Sequence, residues 1–128
     1  MEPFEKKGME EKGLAHVWAA FGYSMDGLKV LMREEAARLE VVMVVVAAVI
    51  FAFLPVGFEH YVILVALFLF VLLVEALNTA VELIIDRTSP EISDYAKQAK
   101  DLGSFAVFCA LTLFNGYVLV TVLSLTVL

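Results

Sequence analysis

Three long apolar runs divide this chain. Val41 to Phe58 holds 18 uncharged residues, Tyr61 to Val74 holds 14, and Leu102 to Leu128 holds 27. The second run continues without a change of helical pattern into Glu75-Ala-Leu-Asn78-Thr-Ala-Val-Glu82-Leu-Ile-Ile-Asp86-Arg87. As helices, all three segments are long enough to cross about 30 Å of hydrocarbon, which predicts spans over 36–56, 61–87 and 101–128. Upstream, Leu14, Val17, Trp18, Phe21, Met25, Leu28 and Met32 recur at steps of three and four. That spacing predicts an amphipathic helix over 14–33, and Trp18 on its apolar side suits a helix lying in the membrane interface. Residues 1–12, mixed in charge, read as a frayed tail. Pro55-Val-Gly57 ends the first span, so Gly57 to His60 makes a tight antiparallel hairpin. Ser89-Pro90 stops the second span, and 90–101 reads as a short polar helix or turn that feeds the third. The expected fold is a single all-α membrane domain over 1–128: one interfacial helix and three transmembrane helices.

Composition agrees with that pattern. Apolar residues make up 62% of the 128, against about 45–50% in soluble domains. The first apolar block starts too late, and after too much charge, for a cleaved signal peptide. Net charge is −6, and without a basic patch nucleic acid is not an expected partner. Cys109 is the single cysteine, which excludes a disulfide framework and a Cys-based zinc site. Lys6, Lys7, Lys12, Lys29, Arg33 and Arg38 precede the first span, and Arg87, Lys97 and Lys100 lie between the second and third. By the positive-inside rule the N-terminus and the 87–101 loop are cytoplasmic, and the C-terminus faces outward. His60, in the outer turn, reads as a solvated surface histidine.

The chemistry is expected on the second span. Glu75, Asn78, Glu82 and Asp86 fall on one face of an otherwise greasy helix. Each charge inside a bilayer costs on the order of 3 kcal/mol on insertion scales, so such residues face a bundle interior, a metal or a wet cavity. No Walker loop, dinucleotide fingerprint, zinc-protease motif or nucleophile elbow is present. What remains near one membrane face is oxygen ligands and cations: Glu34, Glu35, Glu75, Glu82, Asp86, Asp101 and Asn78 with Arg38, Arg87 and Lys100. Carboxylates hold Mg²⁺ in ones and twos beside substrate phosphates, and a deeper carboxylate can take a proton from a lipid alcohol. Taken alone, this set points equally to phosphoryl transfer and to cation handling. Polar residues that merely join helices are the plain structural alternative.

Glu75-Ala-Leu-Asn-Thr-Ala-Val-Glu82-Leu-Ile-Ile-Asp-Arg87, followed by Ala99-Lys-Asp-Leu-Gly-Ser104, resembles the prokaryotic diacylglycerol kinase family. Tyr23-Ser24 with Gly27-Leu-Lys29, and Glu-Ala-Ala with Arg38 and Glu40, extend the resemblance over about 14–128. It implies a homotrimer in the bacterial inner membrane, with active sites shared between neighbouring subunits, ATP and Mg²⁺ as requirements, and diacylglycerol as the lipid substrate. Residue by residue, it implies that Glu75 is the catalytic base and that Asn78 orients the site. Glu82 would be a magnesium ligand, with Glu34 or Glu35 the second. Lys100 and Asp101 would contact the nucleotide phosphates. Tyr23, Asp86 and Glu91 would line the nucleotide site, and Ser24, Arg38, Glu40 and Ser104 the lipid side.

The chain departs from the family pattern in the first span. An aromatic usual between Glu-Ala-Ala and Arg is missing, so Ala37 runs directly into Arg38. Counting from Tyr23 makes Glu35 the second metal ligand, whereas counting back from Arg38 makes it Glu34. The slight preference goes to Glu35, with a helix break expected where the surface helix turns into the membrane. His16 and Ser93 stand where the family often has Arg and His. Among relatives of the same superfamily, undecaprenol kinase is the nearest competing activity; Asp86-Arg87 and Gly103-Ser104 favour diacylglycerol. A small cation-handling or assembly subunit without catalysis is the competitor from another class.

Overall fold

The computed structural model describes residues 13–91 and 93–127; the expected N-terminal tail lies outside the described residues. Four helices follow in order: α1 (Leu14–Leu31), α2 (Glu35–Ala52), α3 (Phe58–Thr88) and α4 (Asp94–Thr126).

Local chemistry sets each boundary. α1 closes through Met32 N–H on Leu28 O at 2.9 Å and Glu34 N–H on Leu31 O at 3.0 Å. Glu34 then turns extended and precedes α2. Arg38 holds this break, since its Nη1 donates to the carbonyls of Met32 (3.3 Å) and Arg33 (3.2 Å), which a helix end leaves without partners. The kink expected between surface helix and first span therefore falls at Met32–Glu34. α2 ends at Ala52, four residues before the expected limit, because Pro55 disfavours helical geometry at Leu54. At the start of α3, His60 Nδ1 accepts from Gly57 N–H at 3.1 Å. Glu59 lies 3.4 Å from the same nitrogen; His60 caps a helix. Ser93 caps α4, its hydroxyl accepting from Ala96 N–H at 3.1 Å. Residues 94–101, expected as a separate polar helix or turn, are thus the first two turns of α4 itself.

α3 and α4, with 31 and 33 residues, are long and apolar enough to cross a membrane. At 1.5 Å per residue each extends for about 45–50 Å, well beyond a hydrocarbon core. α2 carries Glu35, Arg38 and Glu40 within its first six positions, so its uncharged part is short.

α3 runs antiparallel to α4, which makes most of its contacts, and it also touches α2 and α1. Ala47 and Phe51 of α2, Leu64 and Val71 of α3, and Ala110 and Phe114 of α4 form the buried core. Phe51 sits edge-on to Tyr61 and Tyr117, with ring centroids 5.9 and 6.2 Å apart, and Tyr117 Oη donates to His60 O at 3.3 Å. The aromatic end of the bundle is therefore the hairpin end. The polar stripe occupies the other end.

Candidate active site

α3 delivers the stripe into the seam between α2 and α4. Glu75 is only 5% exposed, and so is Glu40 of α2. Their carboxyl groups face one another, and Oε2 of each has no hydrogen-bond partner. Three residues on, about one turn nearer the charged end, Asn78 is half-buried and donates from Nδ2 to Glu82 Oε1 at 3.4 Å. Asn78 Oδ1 is also buried without a partner. Acceptor oxygens left unpartnered inside a protein are costly, and they fit a site that takes up a donor or a cation.

Beyond Glu82 the stripe becomes charged and exposed. Asp86 Oδ1 receives Lys100 Nζ at 2.6 Å across the α3–α4 seam. One turn earlier on α4, Lys97 Nζ pairs with Asp101 Oδ2 at 2.6 Å. Each lysine is held above its ordinary value, first by the hydrogen bond to its carboxylate, so both remain cationic throughout the neutral range. With Ser89, Pro90, Glu91, Ser93 and Ala96 these four charged residues line a cavity of 320 Å³. Lys100 and Asp101, both expected at the nucleotide phosphates, line this cavity together, each paired with a neighbour of opposite charge.

The remaining expected residues lie further out. Glu34 and Glu35 are both exposed, Glu34 in the break before α2 and Glu35 at its first residue. Tyr23 is 63% exposed on α1 and does not line the cavity beside Glu91. Ser24 bonds back to Ala20 O at 3.0 Å and borders an apolar groove of 540 Å³ between α1 and α3. Ser104 is exposed on α4. Arg38 serves the helix break described above. The sequence reading passed over Lys97, although its i,i+4 spacing to Asp101 on a helix was a usable signal. It also passed over the face-to-face placement of Glu40 and Glu75, for which the sequence carries none.

Every candidate metal ligand here is an oxygen, which suits Mg²⁺ and not a softer ion. Among the described residues no three acidic, histidine or cysteine side chains form a ready cage. An ion held by Glu82 and a second carboxylate would complete its shell with phosphate, water or another copy of the chain.

Comparison with known proteins agrees with the stripe. The family model of prokaryotic diacylglycerol kinase matches residues 22–123. A diacylglycerol kinase of Sinorhizobium is 45% identical over 114 residues, 89% of this chain and 80% of that protein. The diacylglycerol kinase of Pseudomonas aeruginosa is 39% identical over 116 residues, 90% of this chain and 93% of that one. That of Escherichia coli K12 is 39% identical over 100 residues, covering 77% and 82%. With polar residues at the expected places on α3 and α4 and a match over most of its length, the chain belongs to the prokaryotic diacylglycerol kinase family.

Proposed function

We propose that this protein is an ATP-dependent lipid kinase that phosphorylates the free hydroxyl of diacylglycerol, giving phosphatidic acid. One observation carries the reading: Glu75 keeps an unpartnered carboxylate oxygen buried midway along a helix long and apolar enough to cross a membrane, and that helix leads to a cavity holding two lysines. A base at that depth meets a lipid alcohol, and the cavity suits a polyphosphate.

In the reaction Glu75 takes the proton from the lipid hydroxyl. The freed oxygen bonds to the γ-phosphorus as the bond from that phosphorus to the β–γ bridging oxygen breaks, and ADP leaves with that oxygen. Most of the work is positioning and charge neutralisation. Lys100 exchanges Asp86 for phosphate oxygens, and Asp101 and Glu91 border the nucleotide. Glu82 and Glu34 would hold Mg²⁺, which supplies charge neutralisation on the phosphates when bound. Glu34 is preferred over Glu35 because the spacing from Arg38 onward needs no gap against the family pattern.

The assembly belongs to the same reading. α1 lies in the cytoplasmic interface of a bacterial inner membrane, and α2, α3 and α4 span it, with the C-terminus outward. Three copies form a homotrimer with shared sites. The unpartnered oxygens of Glu40, Glu75 and Asn78, and the position of Tyr23 away from its own chain's lysine cavity, support a site completed by a neighbour. The test is ATP turnover by the purified protein in mixed micelles with and without dioleoylglycerol. Turnover should depend on the added lipid. Turnover indifferent to lipid, or greater with undecaprenol, refutes the proposal.

A further inference from the structure

We propose that Gly103 is a positioning residue for the site, its missing side chain admitting the Asn78 amide between α3 and α4 in the orientation that donates to Glu82. This rests on the kinase reading above and deepens it.

The contact is close. A Cβ built at Gly103 would stand 3.1 Å from Asn78 Cγ and nearer still to Oδ1. All three of its nearest neighbours belong to the Asn78 side chain. No backbone blocks the position, so the two helices need not part to admit a methyl group. The amide must turn instead. It has nowhere useful to go, because the cavity beside it is lined by Val74, Leu77, Val81 and Ala106, none with a polar side chain. A turned Asn78 gives up the 3.4 Å bond to Glu82. Glu82 has no other hydrogen-bond donor among the described contacts, so its carboxylate would lose the group that aims it. Glycine is also a poorer helix former than alanine, so helix propensity does not explain Gly103 in mid-helix; the close approach does.

The experiment is a double-mutant cycle of Gly103→Ala and Asn78→Ala with two readouts. One is Mn²⁺ binding to the protein in detergent micelles by electron paramagnetic resonance. The other is the Mg²⁺ concentration giving half-maximal lipid-dependent turnover. Loss of a group that orients a metal ligand typically weakens metal binding by roughly 10–100-fold. Each single variant should therefore bind Mn²⁺ at least about tenfold more weakly, and the double variant should match Asn78→Ala within about twofold. Wild-type metal affinity in Gly103→Ala, or additive losses in the double variant, overturns the proposal. If Gly103→Ala does not fold, recovery of folding in the Asn78→Ala background supports it, and failure there too overturns it. Wild-type protein that binds Mn²⁺ without lipid-dependent turnover refutes the kinase reading and leaves the Mn²⁺ cycle to decide the contact. Wild-type protein that does not bind Mn²⁺ overturns the metal-aiming role itself.

Discussion

Replacing Glu75 by Gln separates chemistry from folding. The amide is nearly isosteric with the carboxyl group, so packing in the α2–α3 seam is preserved. It cannot take a proton from an alcohol at neutral pH. General-base assistance contributes about 10²–10⁴-fold, or roughly 3–5 kcal/mol of transition-state stabilisation at 1.36 kcal/mol per factor of ten. Turnover should fall by that factor, at saturating lipid and nucleotide, with little change in KM for ATP. Stability should move the opposite way. Glu75 and Glu40 are each 5% exposed with an unpartnered Oε2, and their carboxyl groups face one another, so the new amide adds a donor to the pair. Satisfying a buried acceptor is worth about 1–3 kcal/mol. Assays of turnover in mixed micelles and of unfolding in a denaturing detergent read the two effects on the same preparation. Turnover within tenfold of wild type, or a variant markedly less stable than wild type, would refute the assignment of Glu75 as a buried base.

Three further outcomes are expected. Glu34→Gln should raise the Mg²⁺ requirement by roughly tenfold or more, while Glu35→Gln stays within a few-fold; a metal titration of each variant decides, and equal mild effects would mean that neither is a ligand. Lys100→Ala should weaken ATP use, and Lys100→Arg should restore little, because a planar fork does not replace a point charge; KM for ATP is the measurement, and full rescue by Arg would reduce Lys100 to a generic surface charge. Phe51→Ala, at a fully buried position, should cost about 3–5 kcal/mol of stability without changing KM for ATP; an unfolding curve and a kinetic assay at a permissive temperature check both.

Periodicity alone located the helices, because apolar runs of this length have few other uses. Their ends were legible only where a local rule applied. Ser89-Pro90 stopped α3 near the expected residue, but Pro55 acted further upstream than expected and shortened α2. The start of α4 is hidden in the sequence, where 90–101 reads as a short polar helix or turn, because only the Ser93 cap joins 94–101 to the long helix. The stripe itself was legible because charges on a greasy helix are costly. Its pairings were not. Which lysine meets Asp86, and whether Glu40 faces Glu75, depend on the register between helices. A single chain does not encode that register in any local spacing.

The separation of the aromatic core from the polar stripe along α3 has a practical consequence. Phe51, Leu64 and Phe114 hold the hairpin end, while Glu75, Asn78 and Glu82 occupy the other. Position along the helix axis therefore sorts substitutions by what they change. Below Val71, toward the hairpin, a variant library changes how tightly the bundle holds without touching the stripe, whereas above it substitutions reach turnover as well. Engineering for heat tolerance can work at one end of the rod with the catalytic end untouched.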